Sequence, residues 1–243
     1  MFKRFKIVHR LTFAFLSLGA LVLIVVSTVF YFQFKEALIE RTLEQLSSVN
    51  MLKKKVMEEA VEAKKNKLSY FVQRNDLSGL KTAARDLNLK QIESSLLPDS
   101  LLQEGKIVVF DAGTLLHSDS LLIAYCVPFA AQFFVFVEHP FFIEKALRER
   151  TGMGATGESY IVGQDTLMRT KSRFFPEKKP RTIQVKTLGV KEVLAGREGR
   201  SVIRDYRDVR VLSAYRMLNI EGLKWILLSE IDEEEAIYSV VVM

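Results

Sequence analysis

Cysteine is nearly missing from this 243-residue chain. Cys126 stands alone, so neither an intramolecular disulfide framework nor a multi-cysteine zinc site can form. Histidine is almost as scarce: His9, His117 and His139 lie far apart, with no H-x-x-H or H-E-x-x-H spacing, which argues against a metalloenzyme. Twelve Gly and five Pro are too few for a collagen-like or low-complexity disordered chain. No G-x-S-x-G elbow occurs, and Cys126 lies in an apolar run, where a buried structural thiol belongs. The chain therefore reads as a non-enzyme, with no catalytic residue, metal or cofactor. What remains is 49% apolar and 26% charged, enough to bury a sizeable core in one or two domains.

Positive charge is present but concentrated. Lys3, Arg4, Lys6 and Arg10 place +4 in the first ten residues, leaving +2 of the net +6 for everything else. A nucleic-acid binder gathers its basic residues on a folded surface, so that partner is excluded. The basic end instead precedes residues 11–34, which carry no charge and are bounded by Arg10 and Lys35. As a helix these 24 residues would span about 36 Å, enough for a bilayer core of about 30 Å with tilt. A cleaved signal peptide has a shorter apolar region and a small-x-small cleavage site, whereas this stretch ends in Tyr31, Phe32 and Phe34. The segment reads as an uncleaved single-pass anchor in the inner (plasma) membrane. The positive-inside rule puts residues 1–10 in the cytoplasm and the remainder in the periplasm or outside medium.

Between Gly19 and Gly79 there is no Gly or Pro, so the span continues into a stalk helix over 35–75. Ile39, Leu43, Leu46, Val49, Val56, Ala60 and Ala63 form an apolar stripe that a merely solvated helix would not need. It calls for a partner, which is its own domain, a second helix or the same helix in a dimer, and a homodimer through the stalk is expected. Residues 75–97 read as short helices closed by Pro98. Strands follow at 107–110, 121–127 and 133–137, with a helix at 140–150. A second set comprises strands 159–162 and 167–170, a helix 190–195, and strands 201–206, 211–218 and 224–231. Asp232, with Glu235 three residues on, reads as the cap of a last helix. Antiparallel sheets with helices on one face give an α+β class.

The G-x-G-x-x-G at Gly152, Gly154 and Gly157 follows a helix and leads into a strand, the reverse of the dinucleotide fingerprint. Glu158 after Gly157 excludes a phosphate loop. Arg169, Lys171 and Arg173, with Arg204, Arg207 and Arg210, would converge on a carboxylate or phosphate if their segments share a sheet; otherwise they face water. Tyr160, Tyr206 and Tyr215 either line a small pocket or fill the core. Tyr160, Arg169, Arg173, Tyr206 and Tyr215 form the candidate ligand set.

The series Gly154-x-Thr156-Gly157-Glu158-x-Tyr160-x-Val162-x-x-Asp165-x-x-Met168-x-Thr170-x-Ser172-Arg173 resembles the membrane-proximal module of double Cache sensor domains. Asp205-Tyr206-Arg207, Val211 to Tyr215, Trp225 and Glu230-Ile231-Asp232-x-x-Glu235-Ala236 continue the match in order, over roughly residues 150–238. The resemblance implies PAS-like sheets on a long helix in an extracytoplasmic sensor, as in bacterial chemoreceptors, histidine kinases and membrane-bound cyclases. Its layout would be anchor 11–34, stalk 35–75, a reduced distal module 76–150, a membrane-proximal module 151–231, and a helix from 232 leading to a second span absent by 243. A small-molecule ligand or a periplasmic partner protein would be sensed, and the output domain would lie outside this chain. The alternative is a complete single-span binding protein without output. Two turns depart from the family pattern: Thr166 replaces the usual Gly, and Arg207-Asp208-Val209-Arg210 replaces Arg-Gly-x-Pro. Thr tolerates positive φ poorly, so altered turns are expected. The distal module is expected to keep three strands and lacks the Tyr/Arg/Trp pattern of amino-acid-binding members.

Overall fold

The computed structural model describes residues 7–98, 101–103 and 105–238. Lys3, Arg4, Lys6 and the end of the apolar tail, 239–243, lie outside them. Helix α1 (Ile7–Gln73) is unbroken for 67 residues, because no proline interrupts its amide ladder. Its 11–34 stretch is apolar on every side and fully exposed, and is long and apolar enough to cross a bilayer.

Beyond it one face of α1 becomes buried, at Leu43, Leu46, Asn50, Lys53, Met57, Val61 and Leu68. This spacing is helical, but the stripe differs from the expected one. Val56 is 45% exposed, Ala63 is exposed, and Asn50 and Lys53 take core positions. A polar side chain can sit there because backbone acceptors meet it. The Asn50 amide donates to the carbonyls of Ala214 (3.2 Å) and Leu227 (3.3 Å) and to Ser229 Oγ (3.1 Å).

Asp76 accepts from the Gly79 N–H (2.8 Å) and caps α2 (Leu77–Asp86). The chain then forms β1 (Lys90–Ile92), a 3-10 turn, β2 (Val108–Asp111), α3 (Ala112–Leu115), β3 (Ile123–Phe129), β4 (Gln132–Glu138) and α4 (Phe141–Arg148). After α4 come β5 (Glu158–Gly163), α5 (Leu188–Leu194), β6 (Gly199–Arg204), β7 (Arg210–Met217), β8 (Trp225–Asp232) and α6 (Glu233–Tyr238). Two four-stranded antiparallel sheets result, ordered β1-β4-β3-β2 and β5-β8-β7-β6.

Both sheets lay one face on α1. Met57, Val61 and Leu68 share a core with Ile123, Tyr125 and Val127 of the first sheet and Ile161, Trp225 and Leu227 of the second. Leu43 and Leu46 pack lower down, with Leu212, Ile231 and Ala236. The opposite faces are closed by loops. Leu97, Leu101, Leu102, Leu115 and Leu116 cover the first sheet, and residues 164–187 with α5 cover the second. The α+β arrangement is as read from the sequence.

Three details differ. The first sheet has four strands rather than three, because the short polar β1 adds to the edge of β4 (Gln91 opposite Phe136). Residues 167–170 make only isolated pairings, Val162 with Met168 and Leu167 with Gln184, because this segment turns Arg169 toward the first sheet. The capping box at 232–235 does not form. Asp232 ends β8 and accepts from Arg207 (2.5 Å), while Glu235 reaches the amides of Ala155 (2.5 Å) and Thr156 (2.7 Å).

Both unusual turns keep a left-handed residue: Thr166 has φ 63° and Asp208 has φ 64°. For a β-branched residue that conformation costs about 1–2 kcal/mol, partly offset by glycine's greater unfolded entropy. Thr166→Gly is therefore expected to raise stability by about 0.5–1 kcal/mol in denaturant titration. Equal or lower stability would show that the turn carries no strain. Gly222 (φ 90°) closes the turn between β7 and β8, and a Cβ there would overlap the Val109 carbonyl oxygen of β2. That close approach locks the second sheet against the first.

Candidate functional site

Along β5 alternate residues face the outer side of the second sheet, which brings Glu158, Tyr160 and Val162 to one face. Glu158 lies directly opposite Glu230 of β8, which in turn pairs with Ser213 of β7. Tyr160 is fully buried and its hydroxyl donates to Glu230 Oε2 (2.8 Å), while Ser213 Oγ donates to Oε1 (2.8 Å). The Tyr206 hydroxyl donates to Glu158 Oε2 (2.6 Å) and meets Ser172 Oγ at 2.6 Å. The rings of Tyr160 and Tyr206 meet edge to face at 5.4 Å.

With two carboxyls enclosed, desolvation dominates. Burial pushes Glu230 up to about 8 and raises Glu158 as well. Burial, together with the neighbouring carboxylates, likewise raises the Tyr160 and Tyr206 hydroxyls. Tyr215 lies on the same face, its hydroxyl 3.2 Å from Ser201 Oγ and its ring against Gly189 and Gly199 beside α5.

Arg169 is elsewhere. It is buried between the sheets, donating from Nε to Asp111 Oδ2 (2.6 Å), from a terminal nitrogen to Asp165 Oδ2 (2.8 Å), and to the Leu167 carbonyl (2.9 Å). Asp111 also accepts from Arg181 (2.5 Å) and from the Trp225 indole N–H (3.2 Å). Burial pulls the Arg169 pKa down, but the hydrogen bonds to Asp165 and Asp111 outweigh it and leave the group firmly charged. The arrangement is a latch between the two sheets, with Asp111 at the end of β2 accepting from Arg169 and Arg181 on the cover of the second sheet and from Trp225 of β8.

Arg173 opens onto a cavity of about 260 Å³ at the seam between α4 and β5. Leu147, Arg148 and Arg150 line one side, and Gly157, Glu158, Ser159 and residues 170–173 the other. Behind the wall lies Lys53 of α1, its Nζ donating to the Glu149 carbonyl (2.6 Å) and Ser159 Oγ (2.9 Å). Burial lowers the Lys53 pKa to about 8, against a raising influence from Glu149. The candidate set thus divides. Tyr160 and Tyr206 come together, Arg173 reaches the adjoining cavity, Tyr215 sits toward α5, and Arg169 lies in the latch.

The other arginines considered are spoken for. Arg204 pairs with Asp208, Arg207 with Asp205 and Asp232, and Arg210 with Glu233. Sequence reasoning missed Glu158, Glu230, Lys53 and Arg150. A usable signal was present for Glu230, a carboxylate in the mainly apolar strand run 225–231. In the glycine-rich stretch 152–157 the amides of Ala155 and Thr156 are held by Glu235.

Two antiparallel sheets strung on one long helix, which extends into an apolar stretch, give this chain a fold shared with solved sensory domains of chemoreceptors. The sensory domain of the Campylobacter jejuni chemoreceptor Tlp3 superposes with a TM-score of 0.57 at 10% identity, over 83% of this chain and 98% of that one. The same domain in complex with L-valine gives 0.55 at 11% identity, over 83% and 97%. The ligand-binding domain of the Pseudomonas fluorescens chemoreceptor CtaA in complex with L-isoleucine gives 0.52 at 11% identity, over 86% and 99%. No family model and no curated protein matches the sequence.

Proposed function

We propose that this chain is the extracytoplasmic, ligand-sensing portion of a membrane-bound bacterial receptor of the chemoreceptor, histidine kinase or cyclase type. The N-terminus lies in the cytoplasm, residues 11–34 cross the inner membrane, and the two sheets stand outside. The observation that carries this reading is the continuity of α1: one helix provides the exposed apolar span and the spine of both sheets. The folded part also returns to the membrane boundary, because Glu233 of α6 lies 3.9 Å from Lys35, the first charged residue after the span. A displacement of β8 and α6 against α1 would be delivered at that point.

A bound molecule shifts such a balance only through unequal affinity for the two arrangements. Full reversal from 1:99 to 99:1 needs about 5.5 kcal/mol. A second copy would lie along the stalk face that carries Leu52 and Val56, four residues apart and exposed on the side away from both sheets.

Protease added to intact spheroplasts that express the whole chain is expected to remove everything beyond about residue 35, leaving a short membrane-bound fragment. Full protection, with cleavage only after lysis, would overturn the reading.

A further inference from the structure

Nearly every arginine from Arg148 onward has its own carboxylate. Arg148 pairs with Glu144, Arg169 with Asp111 and Asp165, Arg197 with Glu192, Arg200 with Glu40, and Arg216 with Glu198. Arg181, Arg204, Arg207 and Arg210 are paired as well. Among the described residues in this part of the chain only Arg150 and Arg173 have no ion pair, and both line the 260 Å³ cavity between α4 and β5. Lys171 lines it too and has no hydrogen bond or ion pair among the described residues.

The carboxylates at this cavity do not neutralise these cations. Glu144 is taken by Arg148. Glu158 spends one oxygen on the Arg173 amide (2.6 Å) and the other on Tyr206. Lys53 adds a further cation behind Ser159. Leu147 supplies an apolar wall. The volume lies below the usual range for drug-sized ligands, so the occupant is small.

We infer that this cavity binds a small organic dicarboxylate: two anionic ends for Arg150, Arg173 and Lys171, with the carbon chain against Leu147. The inference rests on the sensor reading and deepens it.

The contacts of these guanidiniums suggest how such a ligand would be read out. Arg150 and Arg173 donate to loop carbonyls, those of Ala155 (3.1 Å) and Gly157 (3.2 Å). The same loop is held by Glu235 of α6 through the Ala155 and Thr156 amides. Burial favours the neutral form of Glu235, yet these bonds and the charge of Arg173 keep its pKa below the usual value. A dicarboxylate competes with the loop for both guanidiniums, and with Glu235 for the field of Arg173. Occupancy therefore loosens the loop that anchors α6 at the membrane boundary.

The test is titration calorimetry on the whole chain in lipid nanodiscs, with C3 to C5 dicarboxylates, matching monocarboxylates and inorganic phosphate as probes. At least one dicarboxylate is expected to bind, more tightly than any monocarboxylate and more tightly than phosphate. Arg173→Gln and Lys171→Glu should each weaken it about tenfold or more. Lys171 is exposed and unpartnered, so its variant keeps the fold and gives a reading even if Arg173→Gln does not. No dicarboxylate binding, binding unchanged in Lys171→Glu, or tighter binding of phosphate would each overturn the inference. None of these results touches the protease experiment, so the sensor reading can survive the loss of this ligand class.

Discussion

Asp111→Ala is expected to destabilise the folded part by about 3–5 kcal/mol, the cost of breaking a buried ion pair from one side. Asp111 is the common acceptor for Arg169, Arg181 and the Trp225 indole, so its loss removes an acceptor from two guanidiniums and an indole N–H at once, and leaves Arg181 with no carboxylate partner among the described residues. Arg169 is buried, and the Arg181 Nε already has no acceptor. Arg181 also holds φ 64°, an unfavourable conformation for arginine that its hydrogen bond to Asp111 helps to maintain. Arg169→Met removes only one of the three donors to Asp111, together with the bonds to Asp165 and the Leu167 carbonyl at the more exposed side of the latch. It leaves Asp111 satisfied by Arg181 and Trp225 and should cost less, about 1–3 kcal/mol. Chemical denaturation of the three proteins in detergent decides the matter. If Asp111→Ala unfolds within 1 kcal/mol of the parent, roughly the worth of one exposed contact, the latch does not hold the sheets together.

The second large effect is electrostatic. Glu230 carries a pKa of about 8 in the folded chain because burial disfavours its charge. Unfolded, it titrates near the ordinary carboxylate value of about 4.3. Between these values the folded state holds a proton that the unfolded state has released. The stability this group contributes is complete below the unfolded pKa and is lost as pH rises through the folded one. The parent protein should therefore lose stability from about pH 5 to pH 8, by up to about 4 kcal/mol on this account. Glu158, also raised by burial, acts with the same sign.

Lys53 acts in a different window. Its folded pKa of about 8 lies below the unfolded value, so its contribution rises with pH only above about 8. Glu230→Gln reproduces the neutral acid, one carbonyl oxygen and one donor facing Tyr160 and Ser213. It is expected to flatten most of the fall and to be more stable than the parent at pH 8 by about 2–4 kcal/mol. A parent profile that is flat over this range, or a variant that follows it, would show that Glu230 is solvated.

Much of the fold was legible because it depends on local pattern. A charge-free run behind a basic end, a gap without Gly or Pro, and short β-branched runs separated by turn residues are enough to place α1 and most of the strands. The edge strand β1 was not legible. Its Lys-Gln-Ile carries little strand signal, and its pairing comes from β4, more than forty residues later in the chain. The span 167–170 looked like a strand by composition, but the pull of Arg169 toward Asp111, 58 residues away, overrides that local preference. The same limit divided the candidate ligand set. Sequence spacing marked Arg169 and Arg173 as equivalent basic residues, and only the position of β2 gives one of them a carboxylate and leaves the other at a cavity.

The order of residues alone determined the charge-free apolar run, the continuous helix and the α+β class, since hydropathy and backbone propensity act over a few turns or a few strand residues. The tertiary structure decided which charges are spent and which remain available. Whether an arginine is neutralised depends on a carboxylate brought within a few ångströms from a distant segment. That distance is set by how the two sheets seat on α1, because charge pairing acts through space and not along the chain.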